Sequence, residues 1–99
     1  MLVVMNVVHV KEERREAFER AFLNRESHLH KAEGFAGFEL LRRDGSDEYV
    51  VLSRWVDAAS YETWRDGDLF RRSHRHAEGQ LAEGAEVRTY TVLDSQVPA

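Results

Sequence analysis

Asn6 lies in the strand-like run from Leu2 to Val10, and the residues that share its face at a period of two are Leu2, Val4, Val8 and Val10. Burying an amide there without a partner costs about 1 to 3 kcal/mol. Two readings follow from the residue itself: a structural amide bonded to nearby backbone, or a hydrogen-bond donor aimed into a mostly apolar cavity. Trp64 is a second candidate, at helical spacing from Tyr61 and just before Gly67. An aromatic at that spacing is most often core, but a helix broken at glycine can open a cleft whose wall is the residue before the break. The third candidate is the segment Phe70-Arg71-Arg72-Ser73-His74-Arg75-His76. It reads either as a solvated basic face at a helix C-terminus, favoured by the macrodipole, or as an anion-tolerant site with an imidazole ligand.

His74 and His76 are roughly 200° apart around a helix, so they do not face one cavity. The same geometry counts against a His-x-His zinc site there, and against one at His28 and His30 if the first helix extends that far. The chain has no cysteine, which removes thiol nucleophiles, Cys-ligated zinc and iron–sulfur clusters. Any metal must be held by His, carboxylate or Tyr. No Gly-rich phosphate loop, Gly-x-Ser-x-Gly elbow or catalytic triad is found, so hydrolytic and nucleotide-dependent mechanisms lack residues.

The elements that position these residues form one domain, expected over 1–94, with 95–99 as a flexible tail carrying the lone proline, Pro98. Leu2 to Val10 is apolar on both alternating faces, with Val3, Met5 and Val7 opposite the Asn6 face, and reads as a strand buried on both sides. From Glu12 to Ala32 a stripe of Ala17, Phe18, Ala21, Phe22 and Leu29 faces away from Glu12, Glu13, Arg15, Glu16 and Glu19, the pattern of an amphipathic helix ended by Gly34. Phe35 to Arg43 and Glu48 to Val56 read as strands joined at Asp44-Gly45-Ser46. Asp57 is an N-cap for a helix through Tyr61 and Trp64 that is interrupted near Gly67 and resumes to His76. Val87 to Leu93 is a last strand. The order βαββαβ is the split βαβ arrangement of ferredoxin-like α+β folds, a four-stranded antiparallel sheet with helices on one face. The doubly apolar first strand then needs a cover on its other face, and a second copy's sheet, in a barrel-forming homodimer, is the simplest one.

Composition narrows the partners. Hydrophobic residues at 42% and charged residues at 32% suit a soluble globular chain. A formal net charge of -4 argues against nucleic acid, whose backbone needs a basic surface. The start shows neither a signal peptide nor a membrane span, so a cytoplasmic location is expected.

Asn6 in the first strand, Gly34-Phe35-Ala36-Gly37-Phe38 entering the second, Trp55 ending the third, Tyr61-x-x-Trp64 and Phe70-x-x-x-His74 together make a pattern that resembles the antibiotic biosynthesis monooxygenase (ABM) superfamily, and within it the IsdG-like haem-degrading monooxygenases. The resemblance runs from Leu2 to about Asp94. It implies that His74 ligates haem iron, that Asn6 donates a hydrogen bond to the oxygen species on that iron, and that Trp64 presses on the porphyrin and ruffles it. Haem would be substrate and cofactor at once, cleaved with O2 and an external reductant to a linear tetrapyrrole and free iron. Arg25, on the helix near the expected cavity, reads first as a solvated or ion-paired arginine and second as a partner for a haem carboxylate; Arg71, Arg72 and Arg75 have the same standing. Tyr61 stands where many relatives carry Phe, and His76 is a rival ligand to His74. Other ABM members oxidise quinol-like or polycyclic aromatic substrates without a metal, and a dimeric haem-binding module without turnover is a third expectation. His74 is what favours haem.

Overall fold

The computed structural model describes residues 1–24, 28–67 and 83–98. Among the described residues the strands and α-helices are β1 (Leu2–His9), α1 (Arg15–Asn24), β2 (Phe35–Arg42), β3 (Glu48–Trp55), α2 (Ala58–Arg65) and β4 (Glu83–Thr91). The strands form one sheet in the order β2-β3-β1-β4 with every neighbouring pair antiparallel, the ferredoxin-like arrangement. β1, the most apolar strand, is therefore central, paired with β3 from Leu2↔Trp55 to His9↔Glu48 and with β4 from Leu2↔Thr91 to His9↔Glu83.

Local chemistry sets several boundaries. Gly45 takes φ +70 in the β2–β3 turn, where the Ser46 N–H donates to the Arg43 carbonyl at 3.2 Å and the Arg43 N–H to that of Glu48 at 2.9 Å. The helix expected from Glu12 to Ala32 is not continuous: Glu12–Arg14 and Leu29–Lys31 are 3-10 turns on either side of α1, and His28 has left the helical conformation. β4 begins at Glu83 rather than Val87, because the hydrogen-bonding groups of β1 continue past the apolar pattern and the ladder extends with them.

Both helices pack on the even-numbered face of β1. Phe18 and Phe22 of α1 join Val10 and Tyr49 in one buried cluster, with Phe18 and Tyr49 ring centroids 4.9 Å apart. Trp64 of α2 joins Val4 and Trp55 in another. The opposite face carries Val3, Met5 and Val7, with Leu52 and Val50 across from Met5 and Val7 on β3. Val3, Val7 and Leu52 are nevertheless buried, flanked on that face by Arg54 paired to Glu39 at 3.3 Å and Arg88 paired to Glu86 at 3.0 Å. Leu41 and Tyr90 remain exposed there.

Candidate functional site

Asn6 stands midway along the central strand, between Val51 of β3 and Val87 of β4, on the helix-covered face. Its position on that face matters. Val4 belongs to the cluster under α2, whereas Val8 and Val10 belong to the one under α1, so Asn6 falls at the seam between two apolar cores. The side chain is half-buried and makes no side-chain hydrogen bond among the described residues. Beside it Val87 is 55% exposed, which leaves an apolar surface next to the amide. An amide with unused donors beside bare apolar surface suits a ligand that is mostly apolar and polar at one point.

Trp64 packs against Val4, the neighbour of Asn6 on the same face of β1. Asp57 caps α2 by accepting from the Ser60 N–H at 2.8 Å, and that bond holds its carboxyl below the usual carboxylate range. With the start of the helix fixed, Trp64 arrives two turns later, where it packs at 7% exposure against Trp55 and Val4. Its ring centroid lies 6.2 Å from that of Trp55. Asn6 and Trp64 therefore border the same residue, Val4, from along the strand and from the helix above. Gly67 follows directly, its N–H donating to the Trp64 carbonyl at 3.1 Å.

Gly34 locks the entry to β2 against α2. It has φ +81, its carbonyl accepts from the Val56 N–H at 2.8 Å, and a Cβ there would collide with the Ser60 hydroxyl.

Arg25, Phe70, Arg71, Arg72, His74, Arg75 and His76 lie outside the described residues. His28 is buried at the start of the Leu29–Lys31 turn. His30 instead lines an apolar cavity of about 550 Å³ with Phe22, Leu29, Phe35 and Phe38. A second cavity, of about 470 Å³, lies over Lys31, Glu33, Ser60, Thr63 and Trp64. Neither reaches Asn6. Among the described residues no three His, Asp or Glu side chains gather in a way that could hold a metal ion. Two contributions escaped the sequence analysis: Val87 as an apolar neighbour of Asn6, and the split of the core that puts Asn6 at a seam. Neither leaves a local signal, since both arise from strand pairing.

The antibiotic biosynthesis monooxygenase family model matches residues 1–76, a span that includes Asn6, Trp64 and His74. The chain is 31% identical to a haem-degrading monooxygenase of Listeria welshimeri over 99% of its own length and 96% of that protein's. It is 26% identical to a mycobilin-producing haem oxygenase of Mycobacterium tuberculosis, covering 93% of this chain and 89% of the relative. The fold also superposes on the haem degrader MhuD of Mycobacterium tuberculosis, solved with two haems in its active site, with a TM-score of 0.83 and 23% identity over 98% of this chain and 100% of that one. The strand order, the seam at Asn6 and these matches converge: the chain belongs to the antibiotic biosynthesis monooxygenase family.

Proposed function

We propose that the protein is a haem-degrading monooxygenase that cleaves its porphyrin to a linear tetrapyrrole and releases iron. The observation that carries this reading is Asn6, an amide with no side-chain hydrogen bond among the described residues, at the apolar seam under α1 and α2. The names of the relatives from Listeria welshimeri and Mycobacterium tuberculosis support it. The donor set suits haem: Val87 offers exposed apolar surface to a flat macrocycle, Trp64 the small part of its indole that its packing leaves uncovered, and Asn6 an N–H donor. In this reading His74 holds the iron and Arg25 meets a haem carboxylate. When bound, haem supplies the iron at which O2 is activated and the carbon skeleton that is oxidised, with electrons from an external reductant.

The chain's own residues do the rest. Trp64, held by its packing on Trp55, has little room to yield and presses on the ring, which bends it. Asn6, carried on the rigid backbone of the central strand, places its amide where a developing negative charge would meet an N–H donor. The apolar walls exclude water and strengthen that interaction. The face of the sheet opposite the helices, where Leu41 and Tyr90 are exposed, is covered by a second copy in a homodimer. No helix among the described residues is long and apolar enough to cross a membrane, and we place the enzyme in the cytoplasm.

The test is a haemin titration followed by ascorbate in air. The expected result is a Soret band that saturates at about one haem per subunit and then decays. His74→Ala should lose the ferric ligand-field signature, and His76→Ala should keep it. No spectral shift, or a band that ascorbate leaves intact, refutes the proposal and favours a cofactor-independent oxygenase or a non-catalytic module respectively.

A further inference from the structure

The aromatic cluster under α2 combines three oxidisable rings in contact. Trp64 lies 6.2 Å from Trp55 between ring centroids, and Trp55 lies 5.8 Å from Tyr61. Exposure rises along this line past its middle: Trp64 is 7% exposed, Trp55 fully buried and Tyr61 partly exposed. Phe35, which touches Trp55 at 5.7 Å on another side, is much harder to oxidise and closes that exit. Tyr49 is six residues away along β3, about 20 Å, and Tyr90 is on the opposite face of the sheet.

We propose that Trp64, Trp55 and Tyr61 form a relay that carries an oxidising equivalent from the cleft to the protein surface. Its purpose rests on the haem-oxidising reading, since Trp64 then borders a site where reduced iron and O2 generate one-electron oxidants. The oxidant takes one electron from Trp64, and Trp64 recovers it from Trp55. The Nε1–H of Trp55 donates to the Ser53 hydroxyl at 2.9 Å. A hydroxyl is too weak a base to take that proton, so oxidised Trp55 stays a cation radical and draws an electron from Tyr61. Tyr61 gives its phenolic proton to water and becomes a neutral radical. The Arg65 guanidinium, 5.6 Å from the Tyr61 ring centroid, opposes a cation on that ring but not the neutral radical left by proton loss. A thiol or ascorbate-type reductant in solution then returns one electron, and a proton comes back from water. The relay spares Trp64 from covalent damage when oxidation escapes the substrate.

The test needs no haem. Both tryptophans of the chain belong to the relay, so laser-flash photoionisation at the red edge of tryptophan absorption starts the charge inside it. The expected signal is decay of the tryptophan radical with matching growth of tyrosyl radical, first order and independent of protein concentration. Tyr61→Phe should lose that growth, and Trp64→Phe should keep it. Tyrosyl growth at the wild-type rate in Tyr61→Phe would make Tyr49 or Tyr90 the acceptor and overturn the proposal, as would a rate that rises with protein concentration. In the haem-loaded protein under ascorbate and air, Tyr61→Phe should accumulate more oxidised Trp64 by peptide mass spectrometry than wild type; equal amounts overturn the protective role. A chain that passes the flash test yet leaves haem intact refutes the haem reading alone, and one that degrades haem without tyrosyl growth refutes the relay alone.

Discussion

Replacing Asn6 by valine should make the protein more stable and nearly inactive, a combination that a structural amide would not produce. The half-buried amide has no side-chain partner among the described residues and sits between Val51 and Val87 in the central strand. An unpartnered buried amide costs about 1 to 3 kcal/mol, and partial exposure reduces that toward the lower end. Valine also gains from strand preference, on a scale that spans about 1 kcal/mol. The net expectation is a stabilisation of about 1 kcal/mol. In a domain of this size that raises Tm by about 4 to 8 °C, and the urea midpoint by roughly 0.5 to 1 M. Both are compared at one protein concentration, because dimerisation would otherwise contribute. Loss of a preorganised donor should slow ascorbate-driven haem decay by about 100- to 1000-fold while the Soret band persists. A lowered Tm with undiminished haem decay would refute the reasoning and make Asn6 a structural amide.

Trp64→Phe should bind haem and degrade it more slowly, and Trp64→Ala should lose more, since less bulk remains to press on the ring; if Ala unfolds the protein and Phe is fully active, Trp64 serves packing alone, as circular dichroism and haem decay together would reveal. Gly34→Ala combines a left-handed backbone with a collision at Ser60 and should destabilise by roughly 1 to 3 kcal/mol in urea titration, whereas Gly45→Ala, whose Cβ meets nothing within 4 Å, should suffer only the backbone part. Burial of Tyr49, helped by its hydrogen bond to Glu19, raises its phenol pKa above the ordinary value of 10.0. Its stabilisation is therefore complete below pH 10.0 and is lost as pH rises through the raised folded value, so an alkaline denaturation series should fall less steeply in Tyr49→Phe than in wild type. An unchanged slope would show that Tyr49 does not govern the alkaline limb.

Much of this fold is legible in the chain because its causes are local. A β-branched run apolar on both faces marks β1, Gly45 marks the hairpin, Asp57 marks the start of α2, and the spacing of Phe18 and Phe22 marks the buried side of α1. Asn6 and Trp64 stood out as an amide among valines and an indole before a glycine, and the family resemblance rests on such positions. What the residues left open is non-local. Whether Asn6 has a partner depends on side chains brought beside it by β3, β4 and both helices, and only their packing puts it at a seam beside the exposed Val87. The backbone of β1, not the weakly apolar run at Glu83–Glu86, carries the pairing of β4 back to Glu83. Trp64, Trp55 and Tyr61 likewise come from two elements whose spacing in sequence says nothing of ring contact. Periodicity and capping are set by neighbours along the chain and can be read from it, whereas a cleft is the space between elements and exists only once they have packed.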